Sequence, residues 1–126
     1  MTSYYTKSKN AKLILEEAAG KKLRYVVLAD NKLTLGFANK RLSFYDDGQN
    51  CCEQRYMVCD DDLSFYENAE FYGIEVKDGP AVEVDYDHKE CQFLIVRTSA
   101  GEFTVANYNK HNGWYGGFSL VVKEEA

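Results

Sequence analysis

The sequence has no long hydrophobic run, no export signal and no cluster of basic residues. No stretch approaches the ~18 apolar residues that span a bilayer, and the polar segment 1–10 lacks the apolar core of a signal peptide. The net charge of −5 repels nucleic-acid phosphates and anionic membranes. These absences predict a cytoplasmic protein that binds neither nucleic acid nor a membrane.

Familiar catalytic and metal-binding patterns are also missing, since there is no nucleophile elbow, phosphate-binding glycine loop or histidine pair on a helix. Without an export signal the four cysteines are expected to be reduced thiols. Cys51 and Cys52 are adjacent, so on an extended chain they point to opposite faces and do not easily share one ion. We predict no metal and no cofactor. The zinc alternative rests on His88 and Cys91, whose spacing suits ligands on a turn.

The residues that are present indicate one β-rich domain. A chain of 126 residues with 45% hydrophobic residues can bury a core, and ten Tyr and seven Phe favour the pleated surface of a sheet. No low-complexity linker interrupts the sequence, so we predict a single domain over residues 1–126, with residues 1–7 as a loose tail.

Hydrophobic periodicity predicts the elements. A 3.6-residue period predicts a helix over residues 10–19, and a two-residue period follows it, in which Leu23, Tyr25 and Val27 alternate with Arg24. An acidic run at 60–62 precedes a second short helix over residues 61–68, where a carboxylate can cap the first turn. The fold class is mainly β (α+β): an antiparallel sheet or partly open barrel of about eight or nine strands with two short helices.

Two segments hold the residues that a plain β core needs least. The first contains Cys52, Glu53 and Arg55; an inward Arg55 needs a carboxylate partner, and Glu53 is the nearest. Otherwise Arg55 lies on a solvated face. The second is a turn-rich box over residues 107–118, where Gly116 and Gly117 let backbone or a ligand approach closely. Its aromatic residues either bind a partner or cover a sheet edge.

Several ordered boxes between about residues 45 and 123 resemble a family of small domains of unknown function from bacteriophage and bacterial genomes. They include Cys51-Cys52-Glu53-Gln54-Arg55-Tyr56-Met57 and His111-Asn112-Gly113-Trp114-Tyr115-Gly116-Gly117-Phe118. Trp114 stands where the family usually has Tyr. The resemblance implies a phage or prophage setting and brings no catalytic residue or cofactor.

These observations lead to three functional hypotheses. The first is a non-enzymatic binding module, a phage or prophage accessory protein that binds a host protein. The second is a small-molecule or nucleotide binder that uses the aromatic C-terminal box with Arg55. The third is a thiol or metal-dependent enzyme centred on Cys51, Cys52 and Glu53, for which Cys52 and His111 would be one nucleophile–base pair.

The two segments are expected to lie together and to line one functional surface. If this is so, Trp114→Ala and Arg55→Ala should abolish binding with little change in melting temperature. The predicted site residues are Cys52, Glu53, Arg55, His111, Asn112, Trp114 and Tyr115.

Overall fold

A computed structural model describes residues 11–49, 52–84, 87–113 and 116–126. These residues form one α-helix, one 3-10 turn (Leu63–Tyr66) and nine strands. The elements in chain order are α1 (Ala11–Ala18), β1 (Tyr25–Ala29), β2 (Lys32–Gly36), β3 (Arg41–Asp46), β4 (Gln54–Val58), β5 (Phe71–Asp78), β6 (Val82–Val84), β7 (Asp87–Thr98), β8 (Gly101–His111) and β9 (Leu120–Glu125). The predicted loose tail over residues 1–7 lies outside the described residues.

The strands form two antiparallel sheets. One has the order β1-β2-β3-β9, and the other has the order β4-β8-β7-β5, with β6 paired to β7. Buried residues of both sheets and α1 join in one hydrophobic cluster. The prediction of a mainly β, antiparallel fold is therefore confirmed. The strands described here divide into two sheets and form no closed barrel.

The first predicted helix is confirmed as α1, and the second is shorter than expected. Asp62 caps the 3-10 turn, because the Ser64 N–H donates to the Asp62 carboxylate over 3.1 Å. The helix does not continue because Asn68 has a positive φ of 71° and its N–H donates to the Leu23 carbonyl over 2.8 Å. This long-range pairing ends the helical path.

The alternating residues Tyr25 and Val27 are not the ones that β1 buries. Tyr25 and Val27 are 37% and 46% exposed, whereas Val26 is buried. The turn between β1 and β2 sets a register in which Val26 lies opposite Leu35, which is fully buried. Because neighbouring side chains alternate between faces, that register turns Val26 inward and Tyr25 outward.

Candidate functional site

The central hairpin of the five-stranded sheet changes from apolar to polar along its inner face. Strands β7 and β8 place Leu94 opposite Val105 in the core. Farther along, the inward pairs become Gln92 with Asn107, Glu90 with Asn109, and His88 with His111. Strand β8 continues to His111, so part of the C-terminal box belongs to the sheet.

Arg55 lies inside a cluster of buried ion pairs. Its Nη1 donates to Asp46 Oδ1 over 2.8 Å, and its Nη2 donates to Glu53 Oε2 over 3.1 Å. The three side chains are only 6%, 4% and 0% exposed, respectively. Two carboxylates against one guanidinium leave this cluster with a formal charge of −1, which makes its remaining hydrogen bonds important.

Two asparagines of β8 supply hydrogen bonds to these carboxylates. Asn107 Nδ2 donates to Asp46 Oδ2 over 3.2 Å, and Asn109 Nδ2 donates to Glu53 Oε2 over 2.9 Å. Asn109 Nδ2 also donates to the carbonyl of Gly117 over 3.0 Å. The ion cluster is thereby tied to the C-terminal box. The carboxylates also fix which way both amides point, because only the NH₂ group can donate to them.

Two histidines stack at the open end of this polar layer. The rings of His88 and His111 lie 5.2 Å apart with an interplanar angle of 7°. His111 Nδ1 accepts a bond from the Gly113 N–H over 3.0 Å. Its proton therefore resides on Nε2, which donates to Glu90 Oε1 over 2.9 Å. Both nitrogens of His111 are occupied.

The glycines of the box are required by the protein's own side chains. Gly113 and Gly116 have φ values of +97° and +146°. A Cβ at Gly116 would lie 2.6 Å from Glu90 Oε1, and one at Gly113 would lie 2.8 Å from His88 Nε2. The sequence analysis attributed close approach at Gly116 and Gly117 to backbone or a ligand. Glu90 and His111 approach Gly116, whereas a Cβ at Gly117 would meet no atom within 4 Å.

Two open grooves flank the histidine pair. The first has a volume of about 580 Å³, and Glu83, Glu90 and Gly116 are among the residues that line it. The second has a volume of about 560 Å³ and is lined partly by Cys52 and Lys110. His88, Lys89, His111 and Val82 line both grooves.

A model of a family described as a domain of unknown function, DUF7448, matches residues 16–121. The chain belongs to the DUF7448 family. The matched region includes both grooves and the buried ion cluster, and it begins well before the boxes that carried the sequence resemblance. Searches of curated proteins and of solved structures gave no match. Among the described residues of this DUF7448 chain, no helix is long and apolar enough to cross a membrane.

The structure brings the two predicted segments of the DUF7448 domain together, but it gives their residues different positions. Cys52 and Asn112 are exposed, and Cys52 has a positive φ of 69° at the edge of the second groove. Glu53 and Arg55 are buried beneath the surface. His111 lies between the grooves. Trp114 and Tyr115 lie outside the described residues.

Sequence reasoning missed the contribution of β7 and β3 to this site. It considered His88 only as a zinc ligand and gave no binding role to Glu90 or Asp46, because each of the three meets its partner only through strand pairing or contact between sheets. Asp46 is nine residues from Arg55, and Glu90 is 21 residues from His111. One feature of the sequence could have pointed to Asp46. An arginine that points inward requires a buried carboxylate as its partner, and Arg55 is such a residue.

The cysteines of the domain occupy separate environments. Cys52, Cys59 and Cys91 are thiols rather than disulfides, and burial raises the pKa of both Cys59 and Cys91. Cys91 lies on the opposite face of β7 from His88, because the two are three positions apart on a strand. The two therefore cannot share a zinc ion on that strand. Within the described ranges, no three His, Cys, Asp or Glu side chains are arranged to hold a metal ion.

Proposed function

We propose that this DUF7448 domain is a non-enzymatic binding module for another protein, and that the two grooves beside the histidine pair form its binding surface. The proposal includes the setting that the sequence resemblance implies, in which a bacteriophage or prophage encodes the domain and the partner is a host protein. The domain would then act in the host cytoplasm.

The observation that carries the proposal is an open surface, polar in the first groove, that is built on a fixed support. Small-molecule sites are mostly apolar and enclose most of their ligand. The first groove is instead open and lined by Glu83, Glu90, His88 and Lys89. A polar, open surface fits the hydrogen-bonded rim of a protein interface better than an enclosed ligand site.

The support beneath the surface favours binding without rearrangement. Glu90 Oε1 accepts bonds from both His111 Nε2 and the Gly117 N–H, each over 2.9 Å. Asn109 connects Gly117 to the buried carboxylate of Glu53. A surface held in this way pays little ordering entropy when a partner binds.

The charge of the first groove indicates the chemistry of the partner. The Glu83 side chain is 69% exposed, and one of its oxygens lies 3.3 Å from His88 Nδ1. Exposed Asp87 lies next to His88 and lines the second groove. With a net charge of −5 on the chain, the segment that binds here is expected to present at least one basic side chain.

The same geometry weighs against a thiol enzyme that uses Cys52 and His111. A general base needs a nitrogen that can accept the thiol proton. His111 Nδ1 already accepts from Gly113, and its Nε2 already donates to Glu90. Arg55 is likewise engaged by two carboxylates, which removes it from the surface that a nucleotide would contact.

Affinity purification from lysate of the bacterial host tests the proposal when it compares three chains. The wild type should retain a protein that Glu83→Lys loses, because the substitution reverses the charge of an exposed side chain in the first groove. Glu17→Lys makes the same change on an exposed face of α1 and should retain that protein. All three chains should have matching circular dichroism spectra.

Native mass spectrometry of the freshly purified domain separates the alternatives. A retained small molecule that Glu83→Lys loses, with no protein captured, would replace the protein partner with the small-molecule hypothesis. Equal capture of the same protein by wild type and Glu83→Lys would show that the grooves are not the binding surface.

A further inference from the structure

Strand β6 lies at one edge of the five-stranded sheet, beside the first groove. In the described part of the chain it pairs with β7 alone, and Ala81, Val82 and Glu83 are all exposed. An edge strand presents main-chain N–H and C=O groups that another extended chain can use. Pro80 directly precedes this stretch and has no N–H, so an added strand is confined to residues 81–84.

The pairing of β6 with β7 leaves the main chain of Glu83 unused. The Gly79 N–H donates to the Cys91 carbonyl over 2.8 Å, so the main chain of Cys91 faces this edge of the sheet. Antiparallel strands bond through alternate residues, so Lys89 also faces β6 and His88 does not. Glu83 lies opposite His88 in the register. Its N–H and C=O therefore point away from β7, toward an added strand.

The side chains at this edge favour a basic segment over a second copy of the chain. Side chains of directly opposite residues lie on the same face of an antiparallel pair. The residue that bonds to the main chain of Glu83 therefore places its side chain beside the Glu83 carboxylate, which is 69% exposed. Two copies of β6 paired about Glu83 would place the two carboxylates opposite each other, and like charges in that position are destabilising.

We propose that the partner binds through an extended segment that adds to β6 as an antiparallel strand, with a lysine or arginine opposite Glu83. This inference rests on the proposed function and specifies how the same surface recognises its partner, since Ala81, Val82 and Glu83 line the first groove. Main-chain bonds to Glu83 hold the segment, and its alternate side chains give specificity. The next residue lies opposite Val82, which is 54% exposed, so an apolar β-branched side chain fits there.

The synthetic peptide acetyl-Thr-Val-Lys-Val-Thr-amide has this pattern and serves as the probe. It should bind the isotope-labelled domain with a dissociation constant below about 1 mM. NMR titration should move the Glu83 amide proton downfield, because that N–H gains an acceptor. The peptide with glutamate in place of lysine should bind at least about tenfold more weakly, because it places like charges opposite each other.

Two N-methylated peptides separate main-chain pairing from attraction between side chains. Methylation of the lysine main-chain nitrogen removes the donor to the Glu83 carbonyl and should raise the dissociation constant at least about tenfold. Methylation of the valine nitrogen that follows lysine is the matched control. That nitrogen points away from β6 in an antiparallel pair, so this peptide should bind within about twofold of the parent.

The proposal is overturned if the two methylated peptides bind alike, if methylation of valine weakens binding more, or if the parent peptide does not bind below about 1 mM. These outcomes differ from failure of the proposed function, which capture from lysate by Glu83→Lys tests. A captured protein that depends on Glu83, together with any of these peptide results, would keep the grooves as the binding surface and exclude strand addition.

Discussion

Replacing Arg55 with methionine tests whether the buried ion cluster supports the fold. Methionine keeps much of the apolar volume of the side chain but removes its charge and its donors. Asp46 would retain bonds from the N–H groups of Gly48 and Ser119 and from Asn107. The variant would therefore leave two buried carboxylates without a cation.

The expected loss is large because neither carboxylate can reach bulk water. The side chains of Asp46 and Glu53 are 4% and 0% exposed. Removing one partner of a buried ion pair costs about 3–5 kcal/mol. For a chain of this size, that loss lowers the melting temperature by roughly 10–20 °C. Burial of Arg55 thus replaces the expectation that its substitution would leave the melting temperature unchanged.

Arg97→Met is the matched control, because Arg97 also pairs with two carboxylates but its side chain is 48% exposed. Exposed ion pairs contribute little, so its loss of stability should be much smaller. The Arg97 hydrogen bond lowers the pKa of Glu75. The pKa of Glu75 should rise toward its ordinary value in Arg97→Met, which carboxyl NMR titration measures.

Thermal and urea unfolding at pH 7 and pH 5 measure both variants. The lowered pKa of Glu75 contributes stability that is present at neutral pH and lost as the pH falls, so the wild type should lose more stability than Arg97→Met between pH 7 and pH 5. An Arg55→Met chain as stable as Arg97→Met would refute the buried-cluster argument.

Two further predictions concern the glycine box and the thiols. Gly116→Ala should lose about 1–3 kcal/mol more stability than Gly101→Ala in urea unfolding. Both positions have positive φ, but only at Gly116 does the added Cβ meet Glu90. If both variants lost the same stability, backbone strain alone would explain the loss. Cys91 should react with iodoacetamide more slowly than exposed Cys52 at pH 8, because burial raises its pKa. Peptide mass spectrometry follows both rates, and equal rates in the folded protein would contradict the burial of Cys91.

The sequence by itself determined the class of secondary structure and most of its segments. The two-residue period predicted an antiparallel β fold, and the short helix within residues 10–19 is α1. These features depend on neighbours close in the chain, where side-chain alternation and helix capping act directly. The need of an inward Arg55 for a carboxylate was also local, because Glu53 is two residues away.

Only the tertiary structure decided which face each strand buries and which side chains meet at the site. The turn before β2 made Val26 the buried residue of β1 in place of Tyr25. His88 meets His111 because the hairpin of β7 and β8 fixes their register across 22 intervening residues. Asp46 reaches Arg55 from the other sheet. These contacts depend on strand register and on the packing of two sheets, which a local pattern does not contain.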